Sequence, residues 1–152
     1  MSQIEKRIID LGFVLPETSK PLAAYIPAVQ SGNLVFTSGQ LPMISGSLAE
    51  TGKVGGSVSP ERAKELATVC VLNALAAVKT VIGDLDKIKR VVKVVGFVSS
   101  TPEFSGQPGV VNGASELLGE VFGDKGIHAR SAVGVAVLPL DAPVEIELIV
   151  EV

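Results

Sequence analysis

The segment Arg130–Leu138 begins with the residue in this chain that is best suited to bind a small anion. Its valine-rich alternation predicts a strand, with Arg130 at the start. A planar guanidinium can hold a carboxylate through two parallel hydrogen bonds. A second predicted strand, Val144–Val152, places Glu145 and Glu147 on one face. The pattern fits a charged binding site, and it fits equally well a structural ion pair between Arg130 and one of these glutamates.

Three other reactive side chains have simpler explanations. Cys70 lies within an apolar helical stretch, which indicates a small core residue rather than a nucleophile. Ser38 has no histidine and acidic partner in a recognisable arrangement, which argues against a nucleophilic triad. His128, the only histidine, precedes Arg130 by two residues. It could face the same cleft as Arg130, but the preceding Gly126 and its isolated placement favour a surface turn.

Composition narrows the class of protein. A chain of 152 residues with 47% apolar and 4% aromatic residues predicts one domain, residues 1–152, with an aliphatic core. The net charge is −3, and the chain has no basic run beyond the short segment 87–90, which is typical of a solvated strand entry. Nucleic-acid binding needs a concentrated basic surface, so a nucleic-acid partner is not expected. A single cysteine excludes an internal disulfide, and no signal-peptide pattern is present, so we expect a cytoplasmic protein. The apolar stretch Leu66–Ile82 is interrupted by polar residues and is expected to be a buried helix, without membrane contact.

Periodicity predicts the order β-β-α-β-α-β-β after an N-terminal helix. The expected fold is a two-layer α/β sandwich of the α+β kind, with one mixed sheet and both long helices on one face. Met43–Gly56 is expected to be a loop without periodicity. The elements are a helix over Ile4–Leu11, an extended connection over Leu15–Leu22, a hairpin of Ala28–Gln30 and Leu34–Ser38, a helix from the cap Ser59 to Ile82, a strand over Ile88–Val98, a helix over Val110–Phe122, and the two final strands.

Alternation along the strand that begins at Arg130 divides its side chains between two faces. We expect the larger side chains to lie under the helices and the smaller ones, with Arg130, to face a second copy of the chain. The first set is Ser131, Val133, Val135 and Val137, and the second is Arg130, Ala132, Gly134 and Ala136.

Four segments, Ser38–Pro42, Ala129–Ala136, Leu138–Pro139 and Val144–Glu147, resemble the RidA/YjgF family of enamine and imine deaminases. They occur in the family's order from about Tyr25 to the C-terminus. The N-terminal extension, residues 1–20, and the segment Met43–Gly56 depart from the shorter family members, which is typical of a divergent branch.

The resemblance implies a chorismate-mutase-like fold and a homotrimer whose sheets form a central barrel, with sites between subunits and no metal or organic cofactor. It implies that Arg130 anchors a substrate carboxylate and that Glu145 positions water. Ala132 replaces the family's frequent cysteine. The other matching cleft positions are Tyr25, Ser38, Gly39 and Asn112. From pattern alone, Tyr25 could instead anchor a loop by packing, and Asn112 could be a solvated helix residue.

The implied activity is hydrolytic deamination of reactive 2-enamino and 2-imino acids to 2-keto acids and ammonia. One alternative is a trimer that binds a small carboxylate metabolite without converting it. Endoribonuclease activity, a name often attached to the family, is a third possibility. One histidine, a negative net charge and few aromatic residues offer little for RNA binding or cleavage.

Overall fold

A computed structural model describes residues 1–18 and 24–152; residues 19–22 of the predicted extended connection lie outside the described part. Within it the helices are α1 (Gln3–Asp10), α2 (Pro60–Ile82) and α3 (Gln107–Phe122). The strands, in chain order, are β1 (Ala28–Ser31), β2 (Leu34–Thr37), β3 (Met43–Ile44), β4 (Ser47–Leu48), β5 (Arg90–Ser99), β6 (Ala129–Val135) and β7 (Val144–Glu151).

Five of the strands form one mixed sheet in the order β1-β2-β7-β5-β6. Strands β5 and β6 are parallel, and the other neighbours are antiparallel. The core lies between α2 and α3 and one face of this sheet. The predicted two-layer fold, with one mixed sheet and both long helices on one face, is therefore confirmed. The other face, which we call the open face, has no described element packed on it.

Helix α2 starts and ends where its sequence predicts. The Ser59 hydroxyl accepts a hydrogen bond from the backbone N–H of Arg62 at 3.1 Å, and Gly83, with φ 77°, ends the helix. Among the described residues α2 alone is long and apolar enough to span a membrane, yet 67% of its most apolar stretch is buried within the fold. Such burial is what a core helix requires. Cys70 is fully buried in it, as expected.

Strand β6 faces the opposite way from our expectation. Arg130 hydrogen-bonds to α3, and Ala132 packs against the core, whereas Val133 is 43% exposed on the open face. The small side chains are the ones that lie under a helix, because α3 approaches this edge of the sheet closely. Gly134 belongs to the same set, since a Cβ there would meet the side chain of Gln107 in the first turn of α3.

Two further glycines allow α3 to sit this close. Gly96, on the buried face of β5, lies directly beneath Val111, whose methyl groups occupy the space of a Cβ. Gly113 faces α2, where a Cβ would overlap the backbone carbonyl of Lys64. The hydroxyl of Thr68 donates to the carbonyl of Gly113 at 3.0 Å. Helix α3 is thereby held against both the sheet and α2.

The segment Met43–Gly56 is more ordered than predicted. It contains the antiparallel β3–β4 hairpin, and Val54 forms bridges to Val58 and Ser100. Its far end is tied to Asp141 through a backbone hydrogen bond from Gly52 at 2.9 Å and an ion pair from Lys53. The short strands escaped prediction because two residues are too few to display a periodicity.

The N-terminal helix is fixed to the domain by a carboxylate at its positive end. Asp86 accepts hydrogen bonds from the backbone N–H groups of Gln3 and Ile4, at 2.9 and 3.0 Å. These bonds lower the pKa of Asp86. Ile8 is fully buried in the core, so α1 is an integral part of the fold.

We predict that Gly113→Ala destabilises the protein by about 1–3 kcal/mol, because the new methyl group must displace the α2 backbone. Gly119→Ala on the same helix is the matched control. Its Cβ would meet nothing within 4 Å, and the gain in helix propensity should stabilise by up to about 1 kcal/mol. Urea denaturation measures both. Equal effects of the two substitutions would contradict the close contact between α2 and α3.

Candidate functional site

Arg130 is held at the edge of the sheet by side chains from α3. One of its terminal nitrogens, Nη1, donates to Asn112 Oδ1 at 2.7 Å and to Ser115 Oγ at 3.3 Å. Asn112 and Ser115 are three residues apart and therefore share one face of the helix. The strand supplies the cation and the helix fixes its orientation.

His128 joins the same group. Its Nδ1 lies 2.6 Å from the carbonyl oxygen of Gly126, and its Nε2 lies 2.8 Å from Ser115 Oγ. The ring is half-buried, so our preference for a free surface turn is wrong. We call Asn112, Ser115, His128 and Arg130 the anchor cluster.

The guanidinium of Arg130 keeps one edge available. Both protons of Nη1 have acceptors, whereas Nε and Nη2 have no hydrogen-bond partner within residues 1–18 and 24–152. No carboxylate of the described residues forms an ion pair with Arg130, so the structural pair with Glu145 or Glu147 is not formed within the chain. An Nε–Nη2 edge presents two parallel N–H groups and matches a carboxylate.

A second group of predicted site residues gathers around the start of β7. The Ser38 hydroxyl donates to the carbonyl of Ile26 at 2.7 Å, which fixes the backbone beside Tyr25. Tyr25 is 54% exposed, so it does not serve as a buried packing anchor. Gly39 lies against Glu145 so closely that a Cβ would overlap the carboxylate. We call Tyr25, Ser38, Gly39 and Glu145 the carboxylate cluster.

The environment of Glu145 disfavours its ionised form. Partial burial raises the pKa of its carboxyl, and the neighbouring charge of Glu147 raises it further. Burial likewise raises the pKa of the Cys70 thiol well above its ordinary value, with Glu145 adding to the effect. Glu145 is therefore a better proton acceptor than an exposed glutamate, whereas Cys70 stays protonated.

The two clusters do not meet within one chain. Arg130 pairs in register with Val94 and faces the helices, whereas Glu145 pairs with Phe97 and lies on the open face. Strand β5 separates their strands, which places those backbones about 10 Å apart. The candidate residues therefore form two separate clusters within one chain.

Apolar side chains remain exposed on the open face. Val29, Phe36 and Val133 are 50%, 37% and 43% exposed, and they lie on β1, β2 and β6. A sheet face with apolar side chains across its width is typical of an interaction surface.

Sequence reasoning placed some of these residues together and missed others. Arg130 and Asn112 are in direct contact, and Ala132 follows Arg130 on the same face of β6, beside the core. Ser115 was missed, although its spacing from Asn112 was a usable signal. In residues 1–18 and 24–152 no group of three or more histidine, cysteine or acidic side chains is arranged to hold a metal ion.

Comparison with known proteins identifies relatives along nearly the whole chain. Residues 5–152 match the family model described as "YjgF/chorismate mutase-like, putative endoribonuclease". The protein TCP17 of Trypanosoma cruzi is 43% identical over 93% of this chain and 89% of its own. A relative in Dermatophagoides farinae, 34% identical over 95% of both chains, is named 2-iminobutanoate/2-iminopropanoate deaminase.

A solved structure agrees with the fold. Atu1372 from Agrobacterium tumefaciens, a protein described as having unknown function, is 51% identical and superposes with a TM-score of 0.91. The match covers 98% of this chain and 91% of that one. The match to Atu1372 therefore extends over α1 and the β3–β4 segment.

We predict that Glu145→Gln stabilises the isolated protein at neutral pH. Because the pKa of Glu145 is raised in the folded state, the wild-type chain loses stability as the pH rises from the ordinary glutamate value of 4.5 through the folded-state pKa. A neutral amide escapes that loss. Thermal denaturation should show a higher midpoint for the variant at pH 7 and a difference that shrinks towards pH 4, with the exposed Glu120→Gln as the control. A constant difference at all pH values would contradict the prediction.

Proposed function

The chain belongs to the RidA/YjgF family, and we propose that it hydrolyses 2-imino acids and their 2-enamino tautomers to 2-keto acids and ammonia. The observation that carries the proposal is the free Nε–Nη2 edge of Arg130, fixed by Asn112 and Ser115 and unneutralised within the described chain. The name of the mite relative supports the substrate class.

Arg130 would hold the substrate carboxylate in a bidentate pair, which fixes the adjacent C=N carbon. Ser115 and Asn112 cannot compete for this edge, because they occupy the other terminal nitrogen. Ala132 leaves the neighbouring position small and without a thiol. The anchor cluster thus supports binding and orientation.

Glu145 would supply the proton chemistry. Its carboxylate takes a proton from water while the water oxygen adds to the imine carbon, and the imine nitrogen takes a proton from solvent, which gives a carbinolamine. Glu145 then returns its proton to the amino group, and the C–N bond breaks with its electron pair leaving on ammonia. The hydroxyl group loses its proton to solvent as the C=O bond of the 2-keto acid forms. The raised pKa of Glu145 suits proton transfer near neutral pH. Gly39 lies against Glu145, and its backbone amide would contact the substrate carboxylate. The steps need no metal or organic cofactor.

Separation of the two clusters supports a site formed between subunits. In the homotrimer implied by the family resemblance, the anchor cluster of one protomer would face the carboxylate cluster of the next, with the open faces turned inward. The exposed apolar side chains of β1, β2 and β6 provide the surface for such an assembly. A cytoplasmic location belongs to the same proposal and is supported by the single, buried cysteine.

We predict that the protein accelerates pyruvate formation from 2-aminoacrylate generated in situ. Arg130→Ala should lower kcat/KM at least about 100-fold, since two charge-assisted hydrogen bonds are lost. The kcat/KM of Arg130→Lys should lie between those of the wild-type protein and Arg130→Ala, because an ammonium group keeps the positive charge but lacks the planar pair of N–H donors. Binding of 2-ketobutyrate by the wild-type protein with no acceleration would instead favour the alternative of a carboxylate-binding protein without deaminase activity.

We predict that two inactive variants restore activity when their subunits are mixed. Arg130→Ala retains the carboxylate cluster, and Glu145→Gln retains the anchor cluster. Random assembly into trimers makes about a quarter of the sites intact, so about a quarter of the wild-type activity should return. The measurement is the deaminase rate after refolding the two variants together, compared with each refolded alone. Absence of recovery, with mixed trimers verified by mass, would place the whole site in one subunit.

A further inference from the structure

We propose that Ser115 and His128 form a positioning relay that sets the orientation of Arg130 for its substrate. The inference rests on the proposed function for its kinetic consequence, while the relay itself has a separate structural test. Neither residue touches the free edge of the guanidinium. Both would act through Arg130 and are positioning residues.

The hydrogen-bond directions follow from the chemistry of each partner. A carbonyl oxygen only accepts, so the 2.6 Å contact with Gly126 requires a proton on His128 Nδ1. The Arg130 guanidinium only donates, so Ser115 Oγ accepts from it at 3.3 Å. The serine proton is then directed to His128 Nε2 at 2.8 Å, where a neutral imidazole carries its lone pair.

With a neutral imidazole, every group in this chain of contacts is used in a single arrangement. The backbone fixes the imidazole tautomer, the imidazole orients the serine hydroxyl, and the serine oxygen holds one proton of Nη1. Asn112 holds the other proton of Nη1 at 2.7 Å. The guanidinium plane is consequently fixed from two directions, which lowers the entropy that carboxylate binding must overcome.

The relay joins helix α3 to the connection that leads into the next strand. Ser115 lies on α3, and His128 lies in the link that leads from the short 3-10 helix 123–126 into β6. Both side chains are half-buried at the edge of the sheet. Since Arg130 follows His128 by two residues, the relay also fixes the entry of β6 against α3.

Nitrogen-15 NMR of the imidazole tests the relay directly, and the single histidine makes the assignment unambiguous. At mildly alkaline pH, where an ordinary imidazole is neutral, we expect a protonated Nδ1 and an unprotonated Nε2. Ser115→Ala should move the Nε2 resonance, and 2-ketobutyrate should move it in the wild-type protein. A protonated Nε2 with a bare Nδ1, or a resonance indifferent to Ser115→Ala, would overturn the relay.

Kinetic and binding measurements test whether the relay affects the affinity of Arg130 for the substrate. Ser115→Ala and His128→Ala should raise KM for the imino acid, and Kd for 2-ketobutyrate, about 3- to 10-fold, with kcat changed less than about twofold. His128→Gln should restore most of the affinity, since its amide oxygen can accept from Ser115. The exposed Glu120→Gln on α3 is the control. Unchanged KM and Kd, or a loss confined to kcat, would overturn the positioning role.

The two proposals fail in different ways. If the wild-type protein does not accelerate deamination, the proposed function fails, while the imidazole spectrum and the Kd values for 2-ketobutyrate still decide the relay. If deamination is normal and Ser115→Ala changes neither spectrum nor KM, the relay fails alone.

Discussion

The close packing of α3 against both the sheet and α2 is the constraint on which the site depends. It is possible only because glycine stands at the two points of nearest approach, beneath Val111 and against the Lys64 carbonyl. A helix held at a normal distance would keep Asn112 and Ser115 from reaching Arg130. The glycines that allow this close packing therefore also determine where Asn112 and Ser115 lie, although they have no side-chain functional groups themselves.

This constraint also explains why the candidate residues form two separate clusters within one chain. Once α3 occupies the buried side of β6, Arg130 must point to that side, while alternation keeps Glu145 on the open face of β7. No side-chain rotation within one protomer brings them together through the intervening strand β5. The fold therefore separates the part that suits carboxylate binding from the part that suits proton transfer.

The sequence was sufficient for much of the fold because its local signals agree. Ser59, Pro60 and Gly83 mark the ends of α2, and the alternation of the last strand correctly places Glu145 and Glu147 on one face, which is the open face of the sheet. Our prediction of which face of β6 is buried was wrong for a physical reason. Side-chain size predicts the buried face only when helix and sheet lie at their usual spacing, and here the buried face is the one with small residues.

The site was less accessible to sequence reasoning. Family resemblance assigned Tyr25, Ser38, Gly39 and Glu145 to the same cleft as Arg130 and Asn112, and within one chain the structure places Ser38 and Gly39 near Glu145 at the start of β7. It did not indicate Ser115 or His128, because their contact joins a helix face to the entry of a strand. The spacing of residues along a helix or strand predicts which face a side chain lies on. It does not predict how closely the helix and the strand pack.

The buried state of Cys70 has a chemical consequence for the proposed substrates. The imine carbon of a 2-imino acid is electrophilic and can add a thiolate in place of water, yet the only cysteine of this chain is fully buried and its raised pKa keeps it protonated. Alanine at position 132 places no thiol at the edge of the anchor cluster. The folded chain accordingly offers its proposed substrates no thiolate, which leaves water as the nucleophile at the imine carbon.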